Sequence, residues 1–223
     1  MNERDLQAVA WDVDGTLIDS EPLHHEALIA ISARYGVDLT NEPEERFRGV
    51  HMSDVWRALS EEYPQDLTLE AWNDQITDYY VQKADDLRPI PGAVETVRRL
   101  ADMGVPQVCV SNSSRRIIDS NIRSLGIQNC LAGSVSLSDV TRGKPNPEPY
   151  VRGVGLLGLP ANSVLAIEDS ATGALSARRA RLAVGFYNPR PGSIRAFDYV
   201  DYEIIDLSAI PDMPFFAERS RAR

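Results

Sequence analysis

The sequence predicts an α/β fold in which a parallel sheet, covered by helices on both faces, is interrupted after its first strand by a helical segment. From residue 90 onward, short apolar runs alternate with amphipathic helical segments, the pattern of successive βα units. Before that, an apolar run at residues 8–11 is followed by a charged, helical stretch from Glu21 to about Asp86, without a clear strand pattern. We therefore expect one α/β core and one inserted helical domain.

The individual elements follow from their periodicity. The apolar residues 8–11 predict a buried strand. In the insertion, Leu28, Ile31 and Tyr35 form one apolar helical stripe, and Val55 and Leu59 form another. The core elements are then predicted as a helix at 91–104, a strand at 105–111, a helix at 114–125, a strand at 163–167, a helix at 171–181 and a strand at 183–187. Residues 213–223 have no strong pattern and are expected to form a short helix or a frayed tail.

These changes of pattern define the predicted domains. The core comprises residues 1–19 and 88–223, and the inserted helical domain comprises residues 20–87. The two crossings between them, at 19–21 and 87–91, are candidate hinges. A chain of 223 residues is long enough for one core with a small accessory domain.

Composition limits the partners and the compartment. A formal charge of −10 and an isoelectric point near 4.8 weigh against nucleic acid or an anionic membrane surface as a partner. The two cysteines, Cys109 and Cys130, provide no disulfide framework, and charges at the N-terminus replace the apolar segment of a signal peptide. No apolar run approaches the length of a membrane span. We expect a cytoplasmic protein that is a monomer or a small homo-oligomer.

Two carboxylates and a glycine follow the first predicted strand. Asp12 lies where the chain leaves the sheet, Asp14 comes two residues later, and Gly15 can adopt a positive φ. Like charges this close raise one pKa unless a cation or strong donors compensate, so the pair predicts a divalent metal, acid/base chemistry or both. A carboxylate can also attack phosphorus while a neighbouring acid protonates the leaving oxygen. The alternative is an acidic turn after a strand.

Further polar residues follow other predicted strands. In a parallel sheet the ligand lies beyond the carboxyl ends of the strands, where Asp12, Ser111, Glu168 and Asp169 would gather. Ser111 can present its hydroxyl, and the backbone amides that follow can bind an anion, whereas Ser113 and Ser114 are better explained as helix N-caps. Mg²⁺ prefers an oxygen shell that Asp12, Glu168 and Asp169 could supply, and of the last two acids Asp169 is the stronger candidate ligand. Either of these two acids could instead cap the next helix.

Lys144 lies in a proline-rich loop, GKPNPEPY, at residues 143–150. Because a surface lysine normally gains from flexibility and water, a lysine held between Gly143 and Pro145 indicates a positioned charge, either for a phosphate or for a nucleophilic carboxylate. A solvated loop lysine is the alternative.

Four segments occur in an order that resembles the haloacid dehalogenase-like (HAD) hydrolase superfamily, in its phosphatase and phosphomutase branch. They are DVDGTL at 12–17, VSNSS at 110–114, GKPNPEPY at 143–150 and IEDSATG at 167–173. The resemblance implies a Rossmann-like core with a helical cap that closes over the active site and selects the substrate. It differs from the family at Arg181, where relatives often have a glycine, and this puts the end of the preceding helix in doubt.

The resemblance also implies roles for the motif residues. Asp12 would be the nucleophile and Asp14 the general acid/base, while Ser111, assisted by Asn112, would bind the transferring phosphoryl group and Lys144 would stabilise charge. The implied cofactor is Mg²⁺, held by Asp12, Glu168, Asp169 and the backbone carbonyl of Asp14. Candidate phosphate- or substrate-binding residues are Ser111, Asn112, Gly15, His24 and Arg48. The dehalogenases of the superfamily usually lack the second acid, so Asp14 favours phosphoryl transfer.

The cap is harder to interpret. The segment at 46–56 resembles the substrate-specificity loop of the family, so Arg48 and His51 are candidates for substrate contact, with a solvated charge an equal alternative for each. His24 occurs in a segment whose first histidine lies near the acid/base in several relatives, although a structural role is favoured for a lone histidine. The aromatic residues most simply form the core of the cap itself, and they are Trp56, Trp72, Tyr79 and Tyr80.

The expected function is therefore that of a Mg²⁺-dependent phosphatase that hydrolyses a small phosphomonoester through an aspartyl phosphate. By resemblance alone, the substrate is a sugar phosphate or a phosphoglycolate-like acid. One alternative is a β-phosphoglucomutase-type phosphomutase, which would need cations in the cap, where the chain offers His51, Arg48 and Lys83. A second is a non-catalytic HAD-like binding or regulatory protein, against which Asp14 argues.

Overall fold

The computed structural model describes residues 5–43, 46–47, 50, 52–189 and 198–221. The chain divides into two compact units, one formed by Met1–Asp19 with Arg88–Arg223 and the other by Ser20–Leu87. The division falls where the character of the sequence changes. Whether the second unit works as a cap stays a prediction.

The first unit is built on a parallel sheet of six strands, which confirms the predicted α/β fold. In chain order the strands are β1 (Ala8–Trp11), β4 (Gln107–Val110), β5 (Gly133–Val135), β6 (Val164–Glu168), β7 (Ala183–Tyr187) and β8 (Tyr202–Ile204). Their order across the sheet is β5-β4-β1-β6-β7-β8, and every pairing is parallel. Every residue of β1, β4, β6 and β7 is buried, as expected for central strands covered on both faces.

Four helices lie between strands of this sheet in the chain, and a fifth follows the last strand. They are α4 (Ala93–Asp102), α5 (Arg115–Leu125), α6 (Glu148–Leu157), α7 (Ala171–Arg179) and α8 (Pro214–Arg221). Phe216 of α8 is fully buried, so of the two expectations for the end of the chain, the short helix is correct. No helix in the described part of the chain is both long enough and apolar enough to cross a membrane.

The two edge strands, β5 and β8, were not predicted. Each has only three residues, and their sequences, GSV and YEI, contain no apolar run. Their strand conformation comes from pairing with β4 and β7, which have strong strand patterns of their own. Short strands of this kind cannot be recognised from local periodicity.

Helix α7 ends two residues before the predicted position. Arg181 follows it in a left-handed conformation, with a φ of 69°. The amide of Arg181 donates to the carbonyl of Arg178 (2.9 Å), and the amide of Leu182 donates to that of Ala177 (3.1 Å), which closes the helix end. The arginine therefore takes a conformation that glycine adopts at lower cost.

The described residues of the second unit form helices joined by loops, without a strand. It contains α1 (Glu21–Arg34), α2 (Met52–Leu59) and α3 (Leu69–Lys83), with short 3₁₀ helices at Ser60–Glu62 and Ala84–Asp86. Both predicted apolar stripes contribute to its core, which also contains Trp72. Strands β2 (Ile18–Asp19) and β3 (Arg88–Pro89) form an antiparallel pair in the first unit, where the chain leaves for the insertion and returns.

Candidate active site

A cluster of buried charged side chains lies at the carboxyl ends of the strands, and Lys144 is at its centre. Its Nζ lies 2.6 Å from Asp12 Oδ1, 2.6 Å from Glu168 Oε1 and 2.8 Å from the carbonyl oxygen of Val110. The side chain is only 4% exposed, so the alternative of a solvated loop lysine is wrong. Burial lowers the pKa of Lys144, but the charges of Asp12 and Glu168 outweigh that effect and raise the pKa overall. An ammonium has three donors, and here each has an acceptor.

Glu168 lies on the far side of this lysine. Its Oε1 accepts hydrogen bonds from Lys144 and from the hydroxyl of Tyr150 (2.5 Å), and its Oε2 lies 3.4 Å from Ser170 Oγ. Gly173 makes room for the carboxylate, since a Cβ there would lie 1.9 Å from Oε2. Burial raises the pKa of Glu168. The capping alternative for this acid is wrong, because Ser170 caps α7 by accepting from the amide of Gly173.

Asp12 and Asp169 lie close together and share a donor. Thr16 Oγ1 lies 3.1 Å from Asp12 Oδ2 and 3.3 Å from Asp169 Oδ1. Gly15 has the expected positive φ, 82°, and a Cβ there would fall 2.3 Å from Asp169 Oδ2. Burial and the charge of Glu168 raise the pKa of Asp12 to about 7, and burial and the charge of Asp12 raise that of Asp169 to about 7.

Three side chains among the described residues donate hydrogen bonds to Asp14. Its Oδ2 accepts from Ser111 Oγ (2.9 Å) and Ser113 Oγ (2.8 Å), and its Oδ1 accepts from Asn121 Nδ2 (3.1 Å). Of the two serines expected at the N-cap of α5, Ser113 instead holds Asp14. Ser114 does occupy the N-cap position of α5, but its side chain makes no capping hydrogen bond.

Asn112 supports the lysine loop. Its Oδ1 accepts from the backbone amide of Lys144 (2.8 Å), and its Nδ2 donates to the carbonyl oxygen of the same residue (3.2 Å). Gly143 allows this approach, because a Cβ there would lie 2.7 Å from Asn112 Oδ1. A direct contact of Asn112 with substrate stays a prediction.

Comparison with known proteins identifies the family. The family model described as haloacid dehalogenase-like hydrolase matches residues 6–181. The chain belongs to the haloacid dehalogenase-like hydrolase family. The match spans all four sequence motifs, the whole second unit and the first unit as far as residue 181, which confirms the resemblance found in the sequence.

Sequence identity to individual members of the family is low, between 20% and 27% for three of them. A bifunctional riboflavin kinase/FMN phosphatase of Arabidopsis thaliana is 27% identical over 173 residues, which are 77% of this chain and 46% of that protein, so the chain spans less than half of its length. A validoxylamine A 7'-phosphate phosphatase of Streptomyces hygroscopicus subsp. limoneus is 27% identical over 76% of this chain and 80% of its own. The crystal structure of CbbY from Rhodobacter sphaeroides in complex with phosphate has a TM-score of 0.81 and 20% identity, and the match covers 92% of this chain and 96% of that one. At that identity the structural likeness supports the HAD fold alone.

The acidic residues of this HAD hydrolase fit a divalent metal. Carboxylate oxygens of Asp12, Glu168 and Asp169 lie within 4.8 Å of one another. Three buried or partly buried carboxylates face the single ammonium of Lys144, and a hard divalent cation would balance the remaining negative charge. Because Glu168 Oε1 already accepts from Lys144 and Tyr150, Asp12 and Asp169 are the better oriented pair. Glu168 as a ligand, and the carbonyl of Asp14 as another, stay predictions.

The inserted unit contains the residues considered for contact with the substrate or with a second phosphate. His24 stacks on Tyr80, with ring centroids 4.4 Å apart. Lys83 forms an ion pair with Glu26, which also accepts from the hydroxyl of Tyr79. The remaining candidates, Arg48 and His51, lie outside the described residues.

Metal binding should compete with protons in this cluster. The folded-state pKa values of Asp12 and Asp169, about 7, exceed the ordinary value of 3.8, so without metal the folded state binds protons more readily than the unfolded state and loses stability as the pH rises toward 8. Mg²⁺ binds the ionised carboxylates. We expect Mg²⁺ to raise the melting temperature of EDTA-treated protein more at pH 8 than at pH 6, as measured by thermal unfolding.

The matched control is Asp169→Asn, which removes one carboxylate and should reduce the Mg²⁺-induced shift at pH 8. Equal shifts at both pH values, or an undiminished shift in the variant, would contradict metal binding at these carboxylates.

Proposed function

We propose that the protein is a Mg²⁺-dependent phosphatase that hydrolyses a small phosphomonoester through an aspartyl phosphate on Asp12. One observation carries this proposal. The buried carboxylate of Asp12 is held at the end of a central strand by Lys144 and Thr16, next to Asp169 and two residues before Asp14. This arrangement combines a fixed nucleophile, a fixed cation and a second acid.

In the proposed first step, a carboxylate oxygen of Asp12 attacks phosphorus and the bond from phosphorus to the substrate oxygen breaks. Asp14 gives its proton to that oxygen, so the product leaves as an alcohol. In the second step, Asp14 takes a proton from water, and the water oxygen attacks phosphorus. The bond to Asp12 then breaks, inorganic phosphate leaves, and both carboxyl groups return to their starting states.

The remaining residues stabilise charge. The ammonium of Lys144 stays on Asp12 while negative charge moves between the carboxylate and the phosphoryl oxygens. We assign the binding of the phosphoryl group to Ser111 and to the backbone amides before α5, other than that of Ser113, which already donates to Ser111 Oγ. Mg²⁺, held by Asp12, Asp169 and the carbonyl of Asp14, would supply positive charge to the phosphate when bound.

The relatives support a small phosphorylated substrate. The names of the Streptomyces and Arabidopsis proteins specify phosphatase activity on validoxylamine A 7'-phosphate and on FMN. Both are phosphomonoesters of polyhydroxylated molecules. We therefore propose a sugar phosphate or a phosphoglycolate-like acid as the substrate class of this chain.

Water is the proposed acceptor of the phosphoryl group. A phosphomutase must bind the non-reacting phosphate of a bisphosphate with cations. Of the cap cations considered for that task, Lys83 is already paired with Glu26 and contacts the ring of Tyr79, with its Nζ 4.9 Å from the ring centroid. This pairing favours hydrolysis over transfer to a sugar.

The proposal predicts Mg²⁺-dependent release of inorganic phosphate from members of a phosphomonoester panel, with activity lost in EDTA. A coupled assay for glucose 6-phosphate, started with glucose 1-phosphate and a bisphosphate activator, should show little isomerisation. Rapid isomerisation beside slow phosphate release would make the protein a phosphomutase. Full activity in EDTA would exclude the metal, and no release across the panel would favour the non-catalytic alternative.

A further inference from the structure

Asn121 is a fully buried amide in the middle of α5. Its neighbours Ile118 and Ile122 are buried apolar residues, as expected for the inner face of a helix. Burying an amide in such a place costs free energy unless it is hydrogen-bonded. The structure shows what its Nδ2 binds, namely Oδ1 of Asp14, 107 residues earlier in the chain.

The three described donors bind both carboxylate oxygens of Asp14. Ser111 and Ser113 both donate to Oδ2. With donors on that oxygen alone, the carboxyl group could still turn about its Cβ–Cγ bond. Asn121 holds the other oxygen and fixes the plane of the group. Its amide nitrogen can only donate, whereas the two serine hydroxyls can rotate and either donate or accept.

We infer that Asn121 is a positioning residue that fixes the orientation of Asp14 toward the leaving oxygen of the substrate. The inference rests on the proposed function, in which Asp14 protonates that oxygen. Proton transfer requires hydrogen-bond geometry between the acid and the leaving group, and a misplacement of about 1 Å can cost about 10²-fold in rate. Asn121 should therefore matter only for substrates whose leaving group needs a proton.

The experiment compares kcat/KM for two kinds of substrate, because this parameter includes the step in which the leaving group departs. The leaving oxygen of an alkyl phosphate from the panel is strongly basic and needs a proton to depart, whereas dinitrophenyl phosphate can release a stable phenolate without one. We expect Asn121→Ala to lower kcat/KM about 10- to 100-fold for the alkyl phosphate and less than about 3-fold for dinitrophenyl phosphate. Ser120→Ala, at the adjacent buried position of α5, should leave both values unchanged.

A second variant tests whether the activity lost in Asn121→Ala comes from a folding defect or from the missing hydrogen bond. Asn121→Leu keeps the branched shape of the side chain but has no hydrogen-bond donor and adds no charge to the buried site, and it should show the same selectivity for the alkyl phosphate. Thermal unfolding of each variant checks that it is folded. Asp14→Asn provides the reference, since it should show the same selectivity to a greater extent.

The outcomes separate the inference from the proposed function. If Asp14→Asn is selective but the folded Asn121 variants lose activity equally on both substrates, or lose none, Asn121 does not position the acid and the inference is wrong. If Asp14→Asn itself lowers kcat/KM equally for both substrates, Asp14 is not the general acid, and the proposed mechanism fails together with the inference.

Discussion

Replacing Asp12 with asparagine is expected to abolish turnover and phosphoenzyme formation. An amide is not a competent nucleophile toward phosphorus, so we expect activity to fall by at least about 10⁴-fold. The fold should tolerate the change. Burial and the charge of Glu168 already raise the pKa of Asp12 to about 7, so a neutral side chain suits the site, and its carbonyl can still accept from Lys144.

The measurement is an acid-quenched single-turnover assay that detects both phosphoenzyme and inorganic phosphate, with thermal unfolding at pH 8 as the check on structure. Asp5→Asn is a matched control, because it makes the same chemical change at an exposed residue shortly before the same strand. Turnover at the wild-type rate in Asp12→Asn would show that the nucleophile is another residue.

The sequence predicted the central part of the fold better than its edges. The strands β1, β4, β6 and β7 each contain a run of at least three consecutive apolar or small residues, which local patterns detect. Edge strands β5 and β8 are short and partly polar, and they depend on their neighbours for strand conformation. Their strand conformation depends on pairing with β4 and β7, and local periodicity does not reveal such pairing.

The same distinction applies to the candidate site. Asp12 was recognised because it directly follows a predicted strand, and Lys144 because it lies in a proline-rich motif. Thr16 and Tyr150 lie within the recognised motifs but were given no role, and Asn121 was not singled out, although each donates a hydrogen bond to one of the acids. Tyr150 and Asn121 lie within amphipathic helices, where a single polar residue on a buried face has no periodic signal. Asn121 is a polar residue at a fully buried position, and this can be recognised only once the packing of α5 is known.

Glu168 and Asp169 show why neighbouring residues of like charge need separate treatment. The sequence placed both acids among the candidate metal ligands, with Asp169 favoured over Glu168, but gave no separate role to Glu168. Successive side chains of an extended strand point in opposite directions. Accordingly Glu168 turns toward Lys144 and Tyr150, whereas Asp169 turns toward Gly15 and Thr16. We therefore expect Glu168 to act mainly by holding Lys144.

Replacing Lys144 with methionine is expected to remove both activity and much of the stability. The ammonium is the partner of Asp12 and Glu168 in a buried cluster, and breaking a buried pair by removing one member typically costs about 3–5 kcal/mol. Activity should fall by at least about 10³-fold, the usual order for a preorganised charge at the reacting group. Denaturant unfolding and the phosphate-release assay measure the two effects.

The stability loss should also depend on pH. Lys144 lowers the pKa of both Asp12 and Glu168, so without it these carboxylates take up protons at higher pH in the folded state. Folding of Lys144→Met then loses stability as the pH rises from 6 to 8, and the difference from wild type should be larger at pH 8. Lys83→Met, which removes an exposed ion pair, should change stability little at either pH.

A double variant separates the two effects of the lysine. Lys144→Met with Glu168→Gln removes the ammonium together with one of the two carboxylates that it neutralises, and the new amide can still accept from Tyr150. We expect it to recover a substantial part of the stability lost in Lys144→Met, while activity stays lost because Asp12 still lacks its cation. Recovery of activity together with stability would show that Lys144 serves the fold and takes no part in charge stabilisation during the reaction. No recovery of stability would show that the uncompensated charge of Glu168 is not the cause of the loss.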